Sequence, residues 1–471
     1  MEPIPLSRDT LPRLPAHVAR PAYDPAAVRP GIVHLGLGGF HRAHMARLAH
    51  DLMTRRPEAA AWGIVGVGLR ESDRALHLAL AAQDRLYCLV ERDGQSEDVT
   101  VIGALAGLVG AWDGAGAVLD AIDAPDIRIV SLTVTGAGYG LNPATGRLNP
   151  DDASIVHDLA APERPHSAVG VVVEALRRRM IAGRAPFTVM SCDNLQGNGE
   201  VLRGAVLDFA ARRDPRLADW IAAHGRFPSS MVDRITPVTT AEDIAGLAAR
   251  HGLADRAPVF CERFIQWVVE EDFADGRPAW EAVGVQFVAD VAPYERMKLR
   301  LLNTSHLAVS GLGHLCGHTY IHEALADVRI RRFMRALMDR ETGPTLAPVP
   351  GVDLAAYKAT LVERFANPAI QDTVERVNRD APLSYLLDPI RDRLAAGAGV
   401  ELLALALAAW MRRVGGTDGG DPASLFAVRS RFGDLGEDPR LVAPTAGWLA
   451  SLQAVGAAGT LMRAEAELGY A

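Results

Sequence analysis

Gly31-Ile-Val-His-Leu-Gly36-Leu-Gly38-Gly39-Phe40 is the stretch that decides the fold of this 471-residue chain. A short apolar run ends in closely spaced glycines, and a helical pattern through Ala43, Leu48 and Leu52 follows, so the segment reads as strand, glycine turn, helix. A second apolar run, Trp62-Gly-Ile-Val-Gly-Val-Gly-Leu69, and a second helical segment from Ser72 to Gln83 complete a βαβ unit. Such a unit predicts a parallel sheet. Further strands are expected at Leu86 to Val90, Val99 to Ile102, Ile127 to Thr135 and Phe187 to Cys192, with helices at Gly114 to Ile122 and Ala168 to Ile181. From about residue 290 the pattern turns to helical runs: Glu295 to Leu315, Tyr320 to Met338, Ala355 to Phe365, Glu401 to Val414 and Gly447 to Glu467. The fold class expected is therefore an α/β first half followed by a mainly helical second half. The stretch 1–30, rich in Pro and Arg, reads as an arm laid on a later domain, and Gly415-Gly416-Thr-Asp-Gly419-Gly420 as a loop between helices.

Composition limits the function classes. A chain of this length exceeds one core, so two domains are the default. Hydrophobic residues at 49 % and charged residues at 23 % are ordinary for a globular protein. The net charge of −8 offers no field for nucleic acid. Cys88, Cys192, Cys261 and Cys316 are scattered, which fits neither a disulfide framework nor a zinc cluster and agrees with a reducing cytoplasm. The start, Met1-Glu-Pro-Ile-Pro-Leu-Ser7, lacks a basic segment followed by an apolar one, and no uninterrupted apolar run reaches membrane-spanning length. No membrane partner and no nucleic acid partner are expected.

The glycine turn has two readings. As a dinucleotide cradle, small residues let the chain turn tightly and bring backbone N–H groups to a pyrophosphate at a helix N-terminus. Gly36, Gly38 and Gly39, with Phe40 opening the helix, would supply it. His41, however, stands where G-x-G-x-x-G has its third glycine, so the helix cannot pack on the strand in the standard way; a purely structural turn is the competing reading. An acid binding the adenosine ribose should follow the second strand. Arg70-Glu71-Ser72-Asp73 offers Glu71 and Asp73 there, favouring NAD over NADP, whereas Arg70 would accommodate a 2′-phosphate. Ser72 or Asp73 also reads as a helix N-cap.

In the second half, Lys298, Asn303 and His306 share a K-x4-N-x2-H spacing. On a regular α-helix Asn303 lies about 140° and His306 about 80° round from Lys298, so all three fit one face. The axial spread of about 12 Å is too long for one metal ion and suits a chain-like substrate with several hydroxyls. An amine, an amide and an imidazole suggest acid/base chemistry, but a helix with a surface Lys298, a surface Arg300 and a core His306 has the same spacing.

Five motifs in order, Gly36-Leu-Gly-Gly-Phe-His-Arg-Ala-His44, Ser131-Leu-Thr-Val-Thr135, Phe187-Thr-Val-Met-Ser-Cys-Asp-Asn194, Met231-Val-Asp-Arg-Ile-Thr-Pro237 and Lys298 to His306, resemble the long-chain mannitol dehydrogenase family over nearly the whole chain. The resemblance implies a Rossmann-type NAD-binding domain (1–288, with the arm 1–30) and a mainly helical substrate-binding domain (289–471). It also implies zinc-independent, metal-free chemistry on a small polyol or ketose, and leans towards a monomer. Within it, Lys298 is the general base, a role that needs an amine whose pKa is lowered by burial or a nearby cation. Asn194 and Asn303 hold the developing alkoxide. His306 binds a substrate hydroxyl, Asp233 contacts the polyol unless it pairs with Arg234 or a neighbour, and Arg376 is a retained substrate contact. Glu295 relays the proton, or is a surface i,i+3 partner. The expected reaction is oxidation of D-mannitol to D-fructose; a fructuronate or tagaturonate reductase and an arabinitol dehydrogenase are the alternatives, and a non-catalytic dinucleotide sensor stands outside that chemistry. Gly136 replaces an expected Glu, Thr304 an expected Gly, and Arg376-Val-Asn-Arg-Asp-Ala-Pro382 is shorter than the family loop, with Arg379 the only stand-in for its lysine.

Overall fold

A computed structural model describes residues 2–94, 96–112, 114–142, 145–415 and 422–470. It divides into two compact units, Met1–Val291 and Ala292–Ala471. The break falls three residues after the position the sequence suggests.

Unit 1 is built on a five-stranded, all-parallel sheet. From edge to edge its strands are Leu105–Gly110, Gly63–Gly68, Pro30–Leu35, Ile129–Leu132 and Thr188–Ser191. In chain order that is 3-2-1-4-5, so the order reverses beside the first strand. Both faces are buried, and alternation along each strand feeds two cores: Val33, Leu35, Val65, Val67, Val130 and Leu132 point to one, Ile32, Ile64 and Ile129 to the other. Each such side chain contributes roughly 1.5–3 kcal/mol by leaving water.

Three local expectations change. The runs at Leu86 to Val90 and Val99 to Ile102 are not in this sheet; Tyr87–Asp93 and Ser96–Ile102 form an antiparallel hairpin, extended by Val259–Glu262. An apolar run announces a strand but not its partner, because only register with the rest of the molecule selects one. The sheet's third strand is instead Leu105–Gly110, whose alanine and glycines give it no strong strand signal. Finally, the N-terminal arm is part of unit 1 itself. Ile4–Pro5 pairs in parallel with Leu253–Ala254, and Leu6, Leu14 and Val18 share a small core with the hairpin.

Unit 2 is helical around Glu401–Val414, whose residues Leu402 to Met411 are all buried. A helix apolar on every side belongs at the centre of a bundle. Its N-terminus is met by the Glu341 carboxylate, which accepts from Leu402 N and Leu403 N at 2.8 Å each and is pushed up to about 7 by burial. The last helix, Pro439–Leu468, has a mean hydropathy of 1.2 and passes for a membrane span by length and composition. It is interrupted at Gly456, which has φ 70° and ψ 178°, so neither part reaches the roughly 20 continuous residues that a crossing requires. Five of the six residues of the expected glycine loop, Gly416 to Gly420, lie outside the described residues.

Candidate active site

Unit 1 carries a cleft of about 380 Å³, lined by Gly36 and Gly38, Arg70 and Asp73, Thr133 and Thr135, and by His166 and Ser167. It opens where the strand order reverses, the place at which ligands bind open α/β sheets. Gly36 is obligatory: its φ is +93°, and a Cβ there would sit 2.3 Å from Thr133 O. Gly38 precedes the helix Gly39–Ala43 and leaves open space where a side chain would project. Gly39 and Phe40 stand beyond the lining in the first helical turn, with Phe40 stacked on His44 at 5.1 Å.

His41 resolves the question raised by the missing third glycine. Its ring is buried and stacked on His34 of the first strand, centroids 3.4 Å apart. His34 in turn bonds Ser131 Oγ at 2.8 Å and Thr133 Oγ1 at 2.9 Å. Where a glycine would let helix and strand touch, two imidazoles are inserted, and the helix breaks at His44 before resuming as Met45–Arg55. Burial holds both rings neutral, pushing His34 down to about 3 and His41 well below its usual range.

Of the two acids, Asp73 faces the cleft and Glu71 does not. Glu71 is exposed and pairs with Arg74 at 3.1 Å. Asp73 Oδ2 accepts from Leu69 N and Arg70 N, both at 3.0 Å, so it closes the turn before the helix Arg74–Ala81 and makes no N-cap bond to that helix.

At the end of the fifth strand, Asn194 is exposed, and the residue before it proves important. Asp193 is buried and accepts from Val134 N (3.1 Å), Thr135 N (2.8 Å) and Tyr139 Oη (2.7 Å). Burial raises its pKa. This brace holds Thr135 at φ +63°, a left-handed conformation a threonine does not adopt unaided. Sequence reading passed over Asp193 because its neighbour carried the motif. Asp233 ends the strand Ser230–Asp233 and is buried. Its sequence neighbour Arg234 pairs with Glu91 and donates to Ala43 O and Glu262 O.

Three potential metal ligands, His157, Asp158 and His166, approach within 4.8 Å of one another. The two rings are stacked at 3.6 Å and 9°, so their in-plane lone pairs run parallel instead of converging. Asp158 already accepts from His166 N, Ser167 N and Ser167 Oγ. The cluster is a structural clasp.

In unit 2 the helix that carries Lys298 is not the regular one expected. Lys298–Asn303 is a π-helix between Ala292–Met297 and Thr304–Leu315, with Thr304 N bonded to Leu299 O five residues back. The wider i→i+5 turn rotates Asn303 back towards the face that carries Lys298, relative to α-geometry. Thr304 shores up the irregular turn: its buried Oγ1 lies 2.6 Å from Tyr385 O and 3.0 Å from Leu299 O. Lys298, Glu295 and Asn303 are all buried, which removes the surface-helix reading. Asn303 Nδ2 has no acceptor among the described residues. Arg300, also buried, is paired with Asp392 at 2.8 Å and is structural.

His306 lies tilted by 33° against Phe365, ring centroids 4.6 Å apart, and its Nε2 is 3.3 Å from Asp372 without hydrogen-bond geometry. Asp372 also takes Nε and Nη2 of Arg376, each at 2.6 Å. Burial would raise the Asp372 carboxyl, but His306 and Arg376 hold it well below the usual carboxylate range. Arg379 is on the surface with Asp380. Nothing in the local sequence marks Asp372 as the link between the two site residues; the fold alone makes it one.

A parallel sheet with a glycine-turned cleft at its switch point, joined to a helical unit with a buried lysine and amide, defines a Rossmann-type oxidoreductase. The Rossmann domain of mannitol dehydrogenases matches residues 30–282 and the C-terminal domain of mannitol dehydrogenases matches residues 290–446. The chain belongs to the mannitol dehydrogenase family. A solved Pseudomonas fluorescens mannitol 2-dehydrogenase, in ternary complex with NAD and D-mannitol, is 42 % identical, with a TM-score of 0.90 over 98 % of this chain and 99 % of that one. The mannitol 2-dehydrogenase of Phaeosphaeria nodorum is 40 % identical over 94 % of this chain and 83 % of its own. The D-mannonate oxidoreductase of Escherichia coli is 43 % identical over 85 % of this chain and 83 % of its own.

Proposed function

We propose that this protein catalyses the reversible NAD-linked oxidation of a polyol's secondary alcohol to a ketone, with D-mannitol and D-fructose as the pair. The observation that carries the reading is Asn303 Nδ2, a buried donor without an acceptor among the described residues, one π-turn from the buried Lys298. An unpaired buried donor costs about 1–3 kcal/mol, a cost recovered when an alkoxide oxygen takes the N–H. Lys298 accepts the alcohol proton as general base, and Asn303 and Asn194 stabilise the negative oxygen that remains. Two amides thus give the oxyanion what a Lewis-acid ion gives in metal-dependent dehydrogenases. His306, Asp233 and Arg376 hold the other hydroxyls of the chain, and Glu295 passes the proton on from the lysine.

Gly36 and Gly38 would cradle the pyrophosphate of NAD, and Asp73 would receive the adenosine ribose; a required glycine and a cleft of ligand size fit that group. The bound nicotinamide supplies the hydride acceptor. The NAD and D-mannitol held by the Pseudomonas fluorescens relative support both assignments.

The test is an NADH-linked panel of D-mannitol, sorbitol, arabitol, fructose and fructuronate on the wild type and Lys298→Ala. D-Mannitol and fructose should be the best pair, and the substitution should lower turnover about 10²–10⁴-fold. Undiminished activity of the variant from about pH 7 to about 10 would remove Lys298 as the base. Equal turnover with NADP would contradict the cofactor assignment.

A further inference from the structure

Asp372 lies between the helices Leu354–Phe365 and Val374–Asp380, its carboxylate buried between His306 on one side and Arg376 on the other. The two short bonds to Arg376 use Nε and Nη2, one edge of the guanidinium fork, and the remaining Nη1 is 3.8 Å from Asp380. Arg379 Nε is 2.8 Å from the same Asp380. Both cations that a carboxylate-bearing sugar would look for are therefore already met by carboxylates, and two arginines and two aspartates cancel. A planar Arg–carboxylate pair of this kind is among the stronger interactions a protein makes. An incoming anion would have to evict Asp372 from the fork or lie against its negative charge.

Asp372 has a second effect through His306. Phe365 lies tilted against the ring, and the carboxylate charge 3.3 Å from Nε2 favours the proton of a neutral imidazole on that nitrogen, which leaves Nδ1 as the acceptor for a hydroxyl. The same carboxylate thus prepares the histidine for a neutral, hydroxyl-bearing chain and masks the charge an acidic one would need.

We propose that Asp372 is a positioning and specificity-determining residue, which orients His306 and neutralises Arg376 so that the site accepts a neutral polyol and rejects one carrying a carboxylate. The inference rests on the polyol reading above. D-Mannitol and D-mannonate, which differ at one end of the chain, are the probes.

In the wild type, D-mannonate should inhibit D-mannitol oxidation with a constant at least about tenfold above the KM for D-mannitol, the weight of one charge-assisted bond. Asp372→Asn, which keeps the shape and frees Arg376, should raise the D-mannonate to D-mannitol ratio of kcat/KM about tenfold or more. Asp372→Glu should restore the native ratio, and adding Arg376→Gln to Asp372→Asn should abolish the gain. A folded Asp372→Asn enzyme that loses both substrates equally would overturn the proposal in favour of a structural role. Where that variant does not fold, the wild type decides: D-mannonate competing as well as D-mannitol overturns the charge rule. A wild type that turns over no polyol defeats the earlier reading instead, and calorimetric binding of the two probes then reads the charge rule by itself, equal affinities overturning it.

Discussion

The turn at Gly36 and the π-turn at Lys298–Asn303 are both departures from regular backbone, and they are made in opposite ways. Gly36 works because a side chain is missing: φ is +93° and the carbonyl of Thr133 occupies the place of a Cβ. The π-turn works because a side chain is present, the Thr304 hydroxyl reaching the carbonyls of Leu299 and Tyr385. The first turns the chain tightly into the helix Gly39–Ala43, whose first-turn N–H groups have no intrahelical acceptor and suit a phosphate bound through the main chain. The second aligns Lys298 and Asn303, suited to chemistry that only particular side chains perform. The cofactor cradle and the catalytic pair proposed above thus rest on different kinds of irregularity.

That contrast is open to attack at three points. The largest effect belongs to the side-chain half: Asn303→Ala should lower kcat about 10²–10³-fold while leaving NADH affinity within about twofold. A fall in NADH affinity instead would show that the helical half also serves the cofactor. Next comes Gly36→Ala, where strain of about 1–3 kcal/mol is added to the clash with Thr133 O. NADH affinity, followed by fluorescence titration, should drop tenfold or more, and native affinity would mean that the turn does not cradle the cofactor. The smallest is Thr304→Val, which removes the hydroxyl but keeps the shape. About 1 kcal/mol of stability should be lost in a denaturant titration, together with part of kcat, because Asn303 is no longer held firmly towards the Lys298 face. Lost stability with full kcat would separate the π-turn from the alignment it is credited with.

The two regions also differ in how readable they were. Glycines before a helical pattern and alternating apolar strands leave a local trace, so the parallel sheet and the glycine turn were legible from Gly31 to Leu69. What local pattern lacked was partnership: Leu86 to Val90 and Val99 to Ile102 read as strands of the wrong sheet, and Leu105–Gly110 was missed. In the helical half Lys298, Asn303 and His306 stood out, but their geometry did not. Nothing in Lys298 to Asn303 distinguishes an i→i+5 turn from an α-turn, since the choice is made by what surrounds the helix. Glu71 and Asp73 were equivalent in sequence and are not in space, because only one of them turns back onto Leu69 N and Arg70 N. Asp372 was invisible for the same reason: its partners His306 and Arg376 belong to different helices.

The Asp193 brace carries a mechanical consequence. One carboxylate grips the cleft wall at Val134 and Thr135, and the next peptide unit carries Asn194. Wall and strand end are tied to one buried carboxylate, to which Tyr139 Oη also donates at 2.7 Å. Whatever loads the wall at Val134 and Thr135 therefore loads the peptide leading into Asn194, and the cleft and the end of the fifth strand share a single anchor.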